Sequence, residues 1–488
     1  MVTRRSALGA LAAAASPAVL RGGQARRAGD KPNVLFLWTD QQRADTLAAY
    51  GNHRFRMHAL NDLASRSIVF DRCYDTQPVC TPARSSVMTG LWPHTTGCVT
   101  NNIMLPADAR TLPELLADSA YRTGYIGKWH LGDEAFAQHG FEHWVSTEDG
   151  YATYFSKGRP KDTRTSYHRF LERLGYKPDT KNGGYSRGFA VRRQIDHCKP
   201  AFMANEASRF ILDRREEPWL LSVNFLEPHP PFWGPLNDLH SAAEAPVPAN
   251  YPGDSVDREP ESYRRRREQI KEEDRDGGDF RTRAGWQQLN RIYAGLCTQV
   301  DLAIGQILRT LEASGQAGNT IVVFTSDHGE MMGSHSLYGK GVLYEEAIRV
   351  PLLLHVPYRQ TRPVWVGQPV SHIDLVPTLL SLLTGKVPEH LPGESLLSYV
   401  DGGRRREDHV FLEWNSPEGP NARCVISPDG WKLGLYDKDN CLLFNRHEDP
   451  LELRNLYYRN ESAAVRTRLR GAIDRWQRHV ADRMALPS

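Results

Sequence analysis

The chain has 488 residues, 40% of them hydrophobic, and a formal net charge of +3. That length exceeds what one small core needs and predicts a large domain with a smaller one appended. So near a charge balance speaks against a nucleic-acid binder or a protein held to a membrane surface.

The first 29 residues read as a targeting segment. Thr3-Arg4-Arg5-Ser6-Ala7-Leu8 leads into the apolar run Leu8 to Leu20, too short to cross a bilayer and carrying the paired arginines of a twin-arginine export signal. Cleavage near Ala18 or Ala25 fits that pattern. No later stretch is long and apolar enough for a transmembrane helix, so the expected location is periplasmic or secreted. Val34-Leu35-Phe36-Leu37-Trp38 predicts a buried strand ending at Thr39-Asp40. Cys80-Thr81-Pro82-Ala83-Arg84, followed by Ser85-Ser86-Val87-Met88-Thr89-Gly90, predicts a strand exit entering a helix. Pro82 fits the first turn, and the helix dipole with Arg84 would favour an anion at Cys80. For a lone thiol, a buried structural role is the plainer alternative. The seven cysteines, Cys73, Cys80, Cys98, Cys198, Cys297, Cys424 and Cys441, show no zinc-knuckle spacing. Disulfides remain an option in an oxidising compartment, with a connectivity that cannot be deduced.

Tyr125-Ile126-Gly127 predicts another strand, running into Lys128-Trp129-His130-Leu131-Gly132. Alternating positions on the strand put Lys128 and His130 on one face. Phe155 to Lys199 is rich in lysine and arginine; a solvated insertion is the preferred reading, a basic rim that attracts a polyanion the sharper one. Trp219 to Phe225 is a third strand, leading to His229 between prolines in Glu227-Pro228-His229-Pro230-Pro231-Phe232. Arg264 to Asp279 reads as a solvated loop or helix face. Apolar residues recur at helical spacing from Leu289 to Leu311, and Thr320 to Thr325 follows as a strand ending at Ser326-Asp327-His328. Tyr338-Gly339-Lys340-Gly341 sets a lysine on a glycine loop. An apolar helix from Asp374 to Leu383 precedes the polar stretch Asp401 to Arg406, which reads as a boundary between residues 30–400 and 401–488. Beyond it Val410 to Trp414, Cys424 to Ile426, Trp431 to Tyr436 and Cys441 to Phe444 predict an antiparallel meander, covered by a helix from Ala463 to Arg483.

Strands alternating with helices predict an α/β fold with a large, mostly parallel sheet, followed by a smaller α+β unit with an antiparallel sheet. Ligands of such sheets collect at the carboxyl ends of strands, where Asp40, His130, His229, Asp327 and His328 all fall. Singly, an Asp or His after a strand often caps a helix. Together, Asp40-Gln41 and Asp327-His328 fit a divalent-cation site.

The pentapeptide at Cys80 resembles the Cys-x-Pro-x-Arg signature of the type I sulfatases, in which the cysteine is oxidised to formylglycine. Gly127-Lys128-Trp129-His130, His229 and Lys340 match that family in order and approximate spacing over roughly residues 32 to 460. The resemblance implies an alkaline-phosphatase-like sandwich whose residues 30–400 hold the catalytic site. It implies hydrolysis of a sulfate monoester, a small-molecule or glycan sulfate with sulfated carbohydrate preferred. It implies a metal bound by Asp40, Gln41, Cys80, Asp327 and His328, and maturation by a formylglycine-generating enzyme. Gln41 stands where an Asp is usual and His328 where Asn is common. Two carboxylates make a less anionic cage and imidazole suits calcium less well than oxygen does, yet the family still implies Ca2+, with Mn2+, Mg2+ and Zn2+ open.

The implied mechanism is covalent. Hydrated formylglycine at position 80 attacks sulfur, with the cation lowering the pKa of the attacking hydroxyl. Lys128, Lys340, Arg84 and the metal stabilise charge on the sulfuryl oxygens. His229, with Lys340, protonates the leaving alcohol, and His130 takes the proton of the second hydroxyl to release sulfate. The nearest alternative is a phosphonate monoester or phosphodiester hydrolase of the same superfamily. Gln41 and His328 favour it, while Lys128 and His130 count against it. A catalytically silent glycan-binding relative would keep Cys80 as a thiol. Neither the sulfate position nor the oligomeric state can be read from the sequence.

Overall fold

Strand β1 (Asn33–Asp40) is buried along its whole length, as a nearly continuous apolar run at the centre of a parallel sheet requires. Leu35 and Leu37 enter one hydrophobic core while Val34, Phe36 and Trp38 enter the other, the two-residue alternation of a strand covered on both faces. The computed structural model describes residues 31–487 apart from 254–255, 272–273, 276–277, 360–361 and 402–407. The expected leader, and most of the polar stretch expected as a boundary, therefore lie outside the described residues.

The other strands are β2 (Ile68–Tyr74), β3 (Arg122–Gly127), β4 (His143–Ser146), β5 (Trp219–Pro228), the short hairpin β6 (Asp274–Arg275) and β7 (Gly278–Asp279), β8 (Thr320–Ser326), β9 (Arg349–Val350), β10 (Leu352–His355) and β11 (Val364–Ser371). The large sheet runs β11-β2-β10-β8-β1-β5-β3-β4, with β9 paired to β2. Only β10 and β9 run against their neighbours. Strands β2, β8, β1, β5 and β3 thus point the same way and deliver their carboxyl ends to one edge. Val34 sits between Leu220 of β5 and Ile321 of β8.

One face carries the helices Lys199–Asp213 and Arg283–Ala313, the other the helix Leu375–Thr384. The long helix Arg283–Ala313 starts before the predicted Leu289 because Thr282 caps it, accepting from the Gly285 amide at 3.1 Å. Arg264 to Asp279, expected as a solvated loop or helix face, holds the helix Glu261–Lys271 and the β6-β7 hairpin.

Strand β3 stops at Gly127, where φ is +118° and a Cβ would lie 1.9 Å from the Asn224 carbonyl oxygen. Lys128 and His130 therefore sit on the following loop, His130 itself at φ +58°, and the strand alternation expected for them is corrected. Gly127→Ala is expected to destabilise the fold by about 1–3 kcal/mol from backbone strain alone, with the overlap added, read as a lower urea midpoint at unchanged slope.

A separate antiparallel sheet follows, β12 (Val410–Trp414), β13 (Ala422–Ile426), β14 (Trp431–Tyr436) and β15 (Leu442–Asn445), in sequential order. The terminal helix Ala463–His479, shorter than predicted, packs Leu469, Ile473 and Trp476 on it, with Trp476 stacked on Phe411 at 5.1 Å. Buried Lys432 of β14 pairs with Glu452, lies 3.5 Å from Glu345 and donates to the Leu343 carbonyl, while Arg446 pairs with Glu345 at 2.7 Å. The second sheet thereby braces the segment that follows Lys340. All seven cysteines are buried free thiols, so the option of disulfides is not taken up. No helix among the described residues is long and apolar enough to cross a membrane.

Candidate active site

The carboxyl edge of the sheet gathers the residues that the sequence spread over three hundred positions. Asp40 ends β1, Lys128 follows β3, His229 follows β5, and Asp327 with His328 follows β8. The chain leaving β2 reaches the same edge and enters the helix Cys80–Thr89, with Cys80 as its first residue. Gln41 turns the chain away from β1 at φ 69°, a left-handed conformation that non-glycine residues adopt at a cost and that concentrates at functional sites.

Cys80 is 1% exposed. Its Sγ lies 3.4 Å from His328 Nε2 and 3.8 Å from Asp40 Oδ1. One ligand atom each from Asp40, Cys80, Asp327 and His328 falls within 4.8 Å of all the others, and all four residues are buried. His328 Nδ1 donates to the Gly329 carbonyl at 3.0 Å, which leaves the Nε2 lone pair facing the cluster. An imidazole fixed in that tautomer beside two carboxylates is a fitting donor set for a divalent cation. Burial would lower the His328 pKa, and the Asp327 carboxylate outweighs it and raises it.

Arg84 is fully buried and holds the frame together. It donates from Nη2 to Asp40 Oδ2 at 2.8 Å, from Nε to Asp327 Oδ2 at 3.0 Å, and from Nη1 to the Lys128 carbonyl and Asn224 Oδ1, each at 2.8 Å. The resemblance implied a charge on the sulfuryl oxygens; the geometry spends this guanidinium on the ligand carboxylates instead. Lys128 Nζ joins Asp40 Oδ2 at 2.5 Å. Burial alone would raise the Asp40 pKa, but Lys128, His229, Arg84 and Lys340 together hold it well below the usual carboxylate range. Burial and Asp40 likewise push the Cys80 thiol up, and Lys128, Lys340 and His328 bring it down to about 7, the signature of an electropositive nucleophile position.

The Gln41 amide is oriented by neighbours that can only donate or only accept. Its Oε1 accepts from Lys340 Nζ, and its Nε2 donates to Glu330. Glu330 also accepts from the Met332 amide at 3.0 Å and from the Gly339 amide, which pins the loop bearing Lys340. The predicted lysine and the predicted ligand are therefore in direct contact.

Both histidines outside the cluster are held neutral. Burial, then Lys128 and Arg84, push His130 well down; burial, then Lys340, do the same to His229 despite Asp40. His130 Nε2 lies 2.9 Å from Asn102 Oδ1, and its buried Nδ1 has no hydrogen-bond partner among the described residues, so Nδ1 is the lone pair free to take a proton. His229 Nδ1 donates to the Pro230 carbonyl at 2.6 Å, leaving Nε2 bare. A cavity of about 570 Å3 opens on Cys80, His130 and His229, and its lining also carries Glu148, Asp149, Arg187 and Lys199. The solvated reading of the basic insertion holds for exposed Lys157, Arg169, Arg173, Lys177 and Lys181 and fails for Arg187 and Lys199.

Sequence reasoning missed Asn102, Tyr151, Asn224 and Glu330. Tyr151 stacks on His130 at 4.3 Å between ring centres. Asn224 had a signal, an amide inside the apolar strand Leu220 to Phe225, where only a specific partner offsets the burial of a polar group. Asn102, Tyr151 and Glu330 carried none.

Behind the cluster, His372 Nε2 lies 3.1 Å from Thr325 Oγ1, and burial followed by His328 pushes its pKa from 6.5 down to about 3. Above pH 6.5 the group is neutral in both folded and unfolded chains and contributes no pH dependence. Below it only the unfolded chain takes the proton, so stability falls as the pH drops, by about 1.4 kcal/mol per unit. His372→Gln, which can keep the bond to Thr325, is expected to flatten that slope in urea titrations between pH 6.5 and the acid limit.

A family model described as Sulfatase matches residues 32–386, and one described as N-sulphoglucosamine sulphohydrolase, C-terminal, matches residues 333–479. The chain is 30% identical to the uncharacterized sulfatase YidJ of Escherichia coli (strain K12), over 91% of this chain and 86% of that one. It is 25% identical to an N-acetylglucosamine-6-O-sulfatase of Bacteroides thetaiotaomicron, over 93% of this chain and 87% of the other. Among solved structures it is similar to the phosphonate monoester hydrolase of Agrobacterium radiobacter, with a TM-score of 0.74 at 23% identity over 92% and 96% of the two chains, a likeness of fold.

Proposed function

The chain belongs to the sulfatase family and is a sulfuric ester hydrolase, and from that premise we propose that its substrate is a sulfated carbohydrate, attacked by residue 80 after oxidation of Cys80 to formylglycine. The observation that carries the reading is the position of Cys80, set between the Asp40–Asp327–His328 cluster and the mouth of the cavity. The hydrated aldehyde would supply one hydroxyl for attack and a second whose deprotonation releases sulfate.

Asp40, Asp327 and His328 would hold a divalent cation, with the Gln41 oxygen beside them. The cation would supply charge that favours an ionised oxygen at position 80. Ca2+ follows from the family, and the imidazole among the donors keeps Mn2+, Mg2+ and Zn2+ open. The formal charges agree with this loading. Asp40, Asp327 and Glu330 balance Arg84, Lys128 and Lys340, so a dication is neutralised by one ionised nucleophile and one sulfate monoester. Lys128 and Lys340 then face the sulfuryl oxygens, and Arg84 positions the ligands. His130, with Nδ1 free, removes the proton from the second hydroxyl. His229 donates to the leaving oxygen, gaining its proton once the anionic ester offsets Lys340.

The name of the Bacteroides relative supports a carbohydrate. Residues 1–29 we assign to twin-arginine export toward the periplasm or medium, residues 30–400 to the catalytic domain and 401–488 to the smaller unit, with a formylglycine-generating enzyme as the maturation partner. The test is a pair of measurements on purified protein. Peptide mass analysis with hydrazide labelling should find an aldehyde at position 80, and sulfate should be released from sugar sulfates faster than a phosphonate monoester is cleaved. An unmodified thiol in active protein, or the reverse ranking, overturns the reading, the latter in favour of a phosphonate hydrolase.

A further inference from the structure

The cavity that opens on Cys80 also carries in its wall a charge arrangement that the mechanism does not use. Glu148 is 2% exposed and lies between two cations, Arg187 at 2.5 Å and the 4%-exposed Lys199. Burial would raise its pKa, and Arg187 and Lys199 bring it down to about 2. Within this trio one carboxylate answers two cations, and the other carboxylate of the wall, Asp149, is engaged by His168 at 2.5 Å. Lys199 is enclosed, whereas the Arg187 side chain is 30% exposed. Arg187 donates from Nε to Glu148 and from Nη2 to the Tyr151 hydroxyl at 2.8 Å, while its Nη1 has no partner among the described residues. The guanidinium is fixed by two contacts and offers its remaining donors to the cavity, the arrangement suited to a planar or tetrahedral oxyanion. The Tyr151 ring stacks on His130, and both Lys128 Nζ, at 5.9 Å, and Arg187 Cζ, at 5.4 Å, lie against it, so a lysine assigned to the sulfuryl oxygens and Arg187 share one aromatic neighbour.

We propose that Arg187 binds a second anionic group of the substrate, so that the sugar ring whose sulfate is cleaved itself carries a carboxylate or a further sulfate. This rests on the sulfatase reading for the first anion, and Arg187 is here a specificity residue for the second. A neutral sugar sulfate would leave the Nη1 donors without a charged partner.

The experiment uses the full chain and two matched pairs, glucosamine 6-O-sulfate against glucosamine 2-N,6-O-disulfate, and glucose 2-O-sulfate against glucuronate 2-O-sulfate. The pairs separate a second sulfate from a carboxylate as the source of the anion. In at least one pair the doubly anionic member is expected to have about tenfold higher kcat/KM or more. Arg187→Gln should abolish that ratio mainly through KM, and Arg187→Lys should keep part of it. Calorimetric titration of a Cys80→Ala variant with the same four sugars should give the same ranking in Kd. Equal or inverted ranking in both pairs, or a preference that survives Arg187→Gln, overturns the proposal. Sulfate release without any binding preference removes the subsite alone. A binding preference without sulfate release from any substrate removes the sulfatase reading and leaves the anion subsite standing.

Discussion

Replacing Cys80 with serine is expected to leave the protein folded and to cut steady-state sulfate release by about ten-thousand-fold or more, the scale on which removal of a covalent nucleophile acts. The substitution is nearly isosteric at a buried helix start whose Sγ lies 3.4 Å from His328 Nε2 and 3.8 Å from Asp40 Oδ1, so the fold loses little. The chemistry loses its second half. A serine oxygen can accept a sulfuryl group, but it has no second hydroxyl whose deprotonation expels it. A single-turnover experiment should therefore release at most one equivalent of alcohol and leave a protein heavier by one sulfuryl group. Multiple turnovers by the serine variant at the parent rate would refute the assignment of residue 80.

The second large effect is expected at Arg84. Arg84→Met removes a buried guanidinium that touches Asp40, Asp327, Asn224 and the Lys128 carbonyl. Breaking one partner of a buried ionic set typically costs about 3–5 kcal/mol, because the charges left behind stay in the low-dielectric interior. Lys128 remains for Asp40, but Asp327 Oδ2 has no replacement cation. The urea midpoint should fall accordingly, and activity should be lost with it, since the same carboxylates hold the cluster. A double variant, Arg84→Met with Asp327→Asn, should recover part of the stability and none of the activity. Additive losses in the two single variants would show that Arg84 and Asp327 are not coupled.

Much of this was legible in the sequence, for identifiable reasons. The strands at Val34, Trp219 and Thr320 are apolar runs with polar residues at their ends, and a residue that ends a parallel strand is delivered to the ligand-binding edge by topology alone. That is why Asp40, His229, Asp327 and His328 could be named in advance. Lys128 and His130 were named for the right edge but the wrong backbone, because the break at Gly127 is imposed by the Asn224 carbonyl of a neighbouring strand and leaves no local trace. The use of Arg84 was equally hidden. Its partners come from four separate segments, and nothing within the pentapeptide says whether a guanidinium faces the ligand carboxylates or the substrate. The Gln41–Lys340 contact joins residues whose only shared signal was proximity to glycines or strand ends, and Arg187 lies in a basic insertion whose composition suggested solvent.

The place of β1 in the sheet has a consequence for biogenesis. Its two partners begin at Trp219 and Thr320, so during translation this apolar strand waits with an open edge for nearly three hundred residues. At ordinary elongation speeds that is roughly 15 to 60 s, a period of aggregation hazard in which chaperones have time to act. The same delay keeps the walls around Cys80 from closing, since Asp327 and His328 arrive with the last of these strands. A maturation enzyme would therefore find the thiol reachable on the nascent chain and sealed once the ribosome has passed the end of β8.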